Sequence, residues 1–116
     1  GEVRSIYKDH WGDLWIGVSW KPFVIRYRNG NFEEVSLSNG SPSNIITSIS
    51  SDNEGNLWFG EETRGAIKFN GSLMKTHTVK DGLPGNNITA ILKDKAGYLW
   101  FGTLDRGVAR YMPGLD

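Results

Sequence analysis

The 116-residue chain contains no cysteine, which excludes disulfides, thiol catalysis and cysteine-ligated zinc. Its 13 basic and 13 acidic residues cancel, so no basic excess points toward nucleic acid or an anionic membrane surface. No apolar run approaches the length of a membrane span, and no stretch has the pattern of a signal peptide. A cytoplasmic and a periplasmic setting both fit. Histidine is scarce as well: only His10 and His77 occur, neither in a metal-ligand spacing, so no metal or other cofactor is expected.

What the chain has is repetition. "GDLWIG" at 12–17 returns as "GNLWFG" at 55–60 and "GYLWFG" at 97–102. Trp15 and Trp58 are 43 residues apart, Trp58 and Trp100 are 42 apart. The match extends to "VRSIYKDHWGDLWIG" from Val3, "ITSISSDNEGNLWFG" from Ile46 and "ITAILKDKAGYLWFG" from Ile88. Downstream, "VIRY" at 24–27 corresponds to "AIKF" at 66–69 and "VARY" at 108–111, and "NGSPSN" at 39–44 to "DGLPGN" at 81–86. A period of about 40–50 residues with several strands per unit is the signature of a propeller.

Each repeat reads as four short antiparallel strands joined by turns. Val3–Lys8 is a first strand. Asp9, Asp52 and Asp94 each open an Asp-x-x-Gly turn, in which the carboxylate accepts from the following backbone and the glycine tolerates positive φ. A second strand, Leu-Trp-Ile/Phe-Gly, follows. Its three consecutive apolar residues imply that both faces are covered, as in blades stacked around an axis. Trp15, Trp58 and Trp100 are therefore expected in the core between blades. Gly17, Gly60 and Gly102 are expected to end their strands where a side chain would clash or φ be positive. Fourth strands fit Phe32–Leu37 and Met74–Val79.

The expected architecture is all-β: a partial β-propeller of about two and three-quarter four-stranded blades with a 42–43-residue repeat, divided as blade 3–45, blade 46–87 and incomplete blade 88–112. Propellers close with typically about 4–8 blades. An open stack would expose apolar end faces. The expected partners are therefore further blades of a parent chain, or other copies of this one in a homo-oligomer. The opening "GEV" enters the first strand at once, and the chain reads as a piece of something longer.

Repetition also guides the search for chemistry. A turn aspartate is needed in every blade, whereas a catalytic acid is needed once, so Asp9, Asp52 and Asp94 read as structural. Loops between second and third strands, and links between blades, share one end of a propeller and are where function would sit. There Trp20 is read as the tryptophan that breaks the repeat, beside Lys21 and Pro22, its ring available to stack on a sugar or a partner. Glu61, Glu62, Arg64, Asp105 and Arg106 complete a candidate ligand-binding loop face, with no catalytic and no metal-binding residue identified.

"ITSISSDNEGNLWFGEETRGAIKF" and "ITAILKDKAGYLWFGTLDRGVARY", with "DGLPGNN" between them, closely resemble the two-component regulator propeller repeat. The first repeat departs: it has "VSWKPFVIRY", is one residue longer, and lacks the glycine equivalent to Gly65 and Gly107. The resemblance implies a periplasmic sensor propeller of a hybrid histidine kinase, often seven-bladed, of the kind that in gut Bacteroidetes responds to glycan breakdown products. An oligosaccharide is then the implied ligand, with no nucleic acid partner and no membrane contact by this segment. Kinase, phosphoacceptor and DNA-binding domains would lie elsewhere in the parent chain. The competing readings are a fragment of a propeller lyase or hydrolase acting on carbohydrate, and a non-catalytic oligomerising scaffold.

Overall fold

The computed structural model describes residues 2–37 and 45–112. The link at 39–44 therefore lies outside the described residues. Among the described residues, eleven strands form three antiparallel sheets. The first contains β1 (Val3–Lys8), β2 (Leu14–Val18), β3 (Phe23–Arg28) and β4 (Asn31–Ser36). The second contains β5 (Ile46–Ser51), β6 (Leu57–Glu61), β7 (Gly65–Phe69) and β8 (Met74–His77). The third contains β9 (Ile88–Lys93), β10 (Leu99–Thr103) and β11 (Val108–Tyr111). Within each sheet the strands are paired in chain order, so each is a meander. The first strands of successive sheets lie side by side, β1 against β5 and β5 against β9. This is the arrangement of propeller blades.

The consecutive apolar residues of the second strands divide between the two faces of each sheet. Trp15 points into a core shared with the second sheet, where Leu57, Phe59, Ile67 and Phe69 receive it. Its ring meets Phe59 and Phe69 edge-on, with centroids 5.8 and 5.7 Å apart, a favoured aromatic geometry. One sheet further on, Trp58 packs with Leu99 and Phe101. Its ring lies 5.4 Å from Phe101 and 5.5 Å from Tyr111. Leu57 and Phe59 thus serve one interface and Trp58 the next, because neighbours on a strand point to opposite sides.

Three details depart from the sequence expectation. First, the strand glycines do not end their strands; Val18, Glu61 and Thr103 continue them. Their role is close approach. A Cβ on Gly17 would lie 2.8 Å from Ile46 Cβ, and one on Gly60 would lie 2.7 Å from Ile88 Cγ2. Each glycine admits the first isoleucine of the next sheet, and both isoleucines are fully buried. At Gly102, with no further sheet packed against it, the nearest atom would be 3.4 Å away. Beside each glycine the inner strand carries a register shift, a bulge recurring in all three sheets. In the second sheet the extra residue, Thr47, uses its hydroxyl to bond Ile88 O at 2.6 Å, stitching two inner strands together.

Second, β8 stops at His77 rather than Val79. Thr78 caps a short 3-10 turn, Val79–Asp81, through a capping box: Thr78 Oγ1 accepts from Lys80 N, and Asp81 accepts from Thr78 N at 2.9 Å. Satisfied side-chain caps end the strand where apolar pattern alone would extend it.

Third, Trp100 is not core. It is 36% exposed, against 2% for Trp15 and 1% for Trp58. The third sheet has nothing stacked on its outward face, so the same residue in the same local geometry is left half in water. Trp58→Ala is accordingly expected to cost about 3–5 kcal/mol of stability, and Trp100→Ala, at protein concentrations low enough to keep the chain monomeric, a clearly smaller amount of about 1–2 kcal/mol. Urea unfolding of the two variants checks this. Equal losses would contradict the placement of the interfaces.

Candidate functional site

The Asp-x-x-Gly turns sit at one end of the stacked sheets. Asp9 Oδ1 accepts from the backbone N–H of Trp11 at 3.0 Å and of Asp13 at 2.9 Å, while Oδ2 accepts from the indole Nε1–H of Trp15 at 2.9 Å. Asp52 does the same with Glu54, Asn56 and Trp58, the indole bond being 2.8 Å. Asp94 repeats it with Ala96, Tyr98 and Trp100, again at 2.8 Å. The turn glycines have φ of +91°, +87° and +93°, a region open to glycine at little cost. Each carboxylate therefore shapes its turn and anchors the tryptophan six residues on. Across the strand pair each tryptophan faces a cation: Arg26 lies 5.1 Å above Trp15, Lys68 5.7 Å above Trp58 and Arg110 5.8 Å above Trp100.

At the opposite end the loops after the second strands bond to the incoming links in each sheet: Ser19 N to Glu2 O, Glu62 N to Ile45 O, Leu104 N to Asn87 O, at 2.8–3.0 Å. The residues expected to form a ligand face do not converge. Trp20 is 63% exposed with φ +66°. A left-handed conformation on so bulky a residue is strained. Glu61 is not a loop residue: it closes β6, is 1% exposed, and has Arg64 Nε 3.9 Å from its carboxylate. Glu62 borders a hollow of about 390 Å³ with Arg4, Asn87 and Leu104, and Arg64 a separate one of about 300 Å³ with Thr78 and Asn86. Trp20, Lys21, Asp105 and Arg106 line neither. Asp105 and Arg106 are exposed and stand 4.0 Å apart, a surface pair of little energetic weight.

The turn end holds what the sequence reading passed over. Trp11, like Trp20, stands outside the repeated positions, and it is 70% exposed. It borders a cleft of about 610 Å³ between the first and second sheets, together with Asp13, Arg28, Arg26, Asn29 and Asn70. Asp13 is buried, and its Oδ2 takes both Arg28 Nε at 2.8 Å and Nη2 at 2.7 Å, a charge-assisted ion pair. Arg26 is ion-paired with Glu33. Comparing the three turns position by position would have found this group. Trp11 stands where the other repeats have Glu54 and Ala96, Asp13 where they have Asn56 and Tyr98, and Arg28 where they have Asn70 and Met112.

Of the two histidines, His10 stacks on Trp11 with ring centroids 3.7 Å apart, and His77 is buried 4.9 Å from the Trp58 ring. Among the described residues no three of His, Cys, Asp or Glu are grouped so as to hold a metal ion, and no helix is long and apolar enough to cross a membrane.

Residues 40–62 and 82–105 match the family described as two component regulator propeller. No curated protein matches the chain. Among solved structures, it is similar to the extracellular domain of BT3049 of B. thetaiotaomicron, assigned to the hybrid two-component systems, at 21% identity and a TM-score of 0.85, over 99% of this chain and 16% of that one. The corresponding domain of BT4673 from the same organism gives 23% identity and a TM-score of 0.76 over 93% and 15%. A catalytically inactive virginiamycin B lyase from Staphylococcus aureus with quinupristin gives 17% and 0.70 over 98% and 42%. The chain thus spans about one-sixth of the length of the sensor domains it matches, and at these identities the likeness establishes the propeller fold.

The clasp makes a titration prediction. The Trp100 indole N–H holds the Asp94 carboxyl below its ordinary value; partial desolvation opposes this, and the backbone N–H groups of Tyr98, Ala96 and Gly97 reinforce it. A carboxyl whose folded pKa is depressed adds stability above the unfolded pKa of about 3.9 and loses it as pH falls through the lower folded value. In an NMR titration the Asp94 carboxyl carbon should show its midpoint below that of a model peptide. Trp100→Phe, which removes the indole donor, should move it up. A midpoint unchanged by Trp100→Phe would contradict the assignment.

Proposed function

We propose, from the match of residues 40–62 and 82–105 to the two-component regulator propeller family, that the chain is a ligand-sensing segment of the periplasmic propeller of a hybrid histidine kinase system, non-catalytic and responsive to a glycan fragment. A binding role is favoured over catalysis by the state of the repeated carboxylates. Asp9 and Asp94 each accept three N–H bonds and Asp52 accepts four, so that the oxygens of these carboxylates are taken up by the turn and the indole. The test is calorimetric titration with neutral soluble oligosaccharides, the same mixtures then being analysed for products. Saturable heat with the sugars recovered intact is expected. Shortened or unsaturated products would overturn the non-catalytic reading in favour of a carbohydrate-active enzyme.

The observation that carries the placement in a larger propeller is a duplicated face. On the outward side of the first sheet, Ile6, Leu14, Ile16, Ile25, Tyr27 and Phe32 share one face by register. They correspond one to one with Ile49, Leu57, Phe59, Ile67, Phe69 and Met74, the surface that receives Trp15. Yet Ile6 and Phe32 are 64% and 71% exposed. At the other end of the stack, Leu92, Trp100 and Val108 present the complementary tryptophan face, also exposed. Each face has the chemistry of a blade interface, and their occupants are blades of the same kind, from a parent chain or another copy. Light scattering on a sizing column should give species heavier than the 13.0 kDa monomer, and Phe32→Glu should shift them toward it. A strict monomer, indifferent to Phe32→Glu, would overturn the docking of copies through these faces.

A further inference from the structure

We propose that the cleft under Trp11, at the turn end between the first and second sheets, is a saccharide-binding site, distinct from the loop face at the other end of the propeller. This rests on the ligand-sensing reading above and gives it a location. Positions recurring in all three repeats are taken up by the fold: the aspartate in its turn, the tryptophan between sheets, the cation above the ring. Positions that depart are released from that duty. Three departures in the first repeat, Trp11, Asp13 and Arg28, lie 17 residues apart in sequence at the extremes, yet converge on one cleft.

The equivalent turn of the second sheet shows what the departures change. There Asn56 turns its amide onto the clasp carboxylate, bonding Asp52 Oδ2 at 3.0 Å. Asp13 gives Asp9 its backbone N–H but has no side-chain N–H to add. Its carboxylate is instead held by Arg28 at the edge of the cleft. In the third sheet Tyr98 occupies the position, and Arg110 stacks on it at 4.3 Å. Only the first turn presents an ion pair and an exposed indole together. His10 stacks on the indole within the neighbouring hollow, and Trp11 borders both that hollow and the cleft.

The chemistry of the lining selects the class of ligand. Asp13 repels an anion and Arg28 repels a cation. A neutral polyol suits both, since adjacent hydroxyls each donate and accept, and a carboxylate beside a guanidinium offers an acceptor and a donor at matching spacing. An exposed indole adds a flat apolar surface with a polar edge, suited to the C–H face of a pyranose. At about 610 Å³ the cleft has the size of a small-ligand site. Asn29 and Arg26 supply further polar groups along its wall.

The test follows the five indole N–H resonances of the chain by ¹H–¹⁵N NMR during titration with cellopentaose, xylopentaose and mannopentaose. The Trp11 resonance should move saturably with at least one sugar. Trp11→Ala and Asp13→Asn should each weaken that binding by about tenfold, the order expected for losing one stacked ring or one charged hydrogen bond. The Trp15 indole resonance, which reports the Asp9 bond, should stay in place in Trp11→Ala, and the Trp58 indole resonance, which reports the Asp52 bond of the second sheet, should stay in place in Asp13→Asn, so that each certifies the fold. Movement confined to Trp20 would overturn this location while leaving the sensing reading intact. Absence of movement at both Trp11 and Trp20 would overturn both.

Discussion

One hydrogen bond organises this protein: the indole N–H of each second-strand tryptophan donated to the aspartate that opens the preceding turn. Burying an indole without a partner for its N–H is costly, and burying a carboxylate without donors is costlier. The clasp satisfies both groups at once. Asp9 and Asp52 are buried with three and four donors, and Trp15 and Trp58 lie almost fully inside. Because one oxygen shapes the turn and the other holds the ring, the turn and the interface between sheets are a single device. The cation across the strand pair covers part of the ring's remaining π surface.

From that device the stacking follows. A ring of fixed orientation projects from one face of each sheet, and a hollow of Leu, Phe and Ile on the next sheet receives it. Gly17 and Gly60 let the inner strands close up, and the hydroxyls of Ser5 and Thr47 bond the carbonyls of Ile46 and Ile88 across the gap. Each sheet thus has a donor face and a receptor face, which allows the unit to be repeated. The same asymmetry leaves a chain of three sheets with one unmatched face of each kind. Trp100 shows the consequence: its clasp is complete, but its burial is not.

Repetition also separates structure from recognition. A residue required by the clasp or the interface must recur, so departures from the repeat are where a particular ligand can be addressed. By that criterion Trp20 and Trp11 are equally eligible. Trp20 bears a left-handed backbone conformation, on a loop where the neighbouring polar residues scatter over separate surfaces. Trp11 stands over a cleft, with an ion pair that has also departed from the repeat. Propellers of this shape occur in sensors and in lyases alike, so such local differences, not the fold, carry function.

The sequence by itself determined the repeat, the all-β class, the strand order within each sheet and the aspartate turns, because these depend on residues close along the chain: a period, an alternation, a turn signature. It also placed Trp15 and Trp58 between sheets, since three apolar residues in a row can be buried only between two covers. The tertiary structure decided what depends on the neighbouring sheet. Trp100 has the same local sequence as Trp58 and a different environment. Gly60 ends nothing locally and is needed because Ile88 approaches from another sheet. Glu61, polar and next to a loop by sequence, is enclosed because β6 continues through it into a packed interface. The cleft under Trp11 is assembled from two sheets, from residues whose separation along the chain carries no record of their meeting in space.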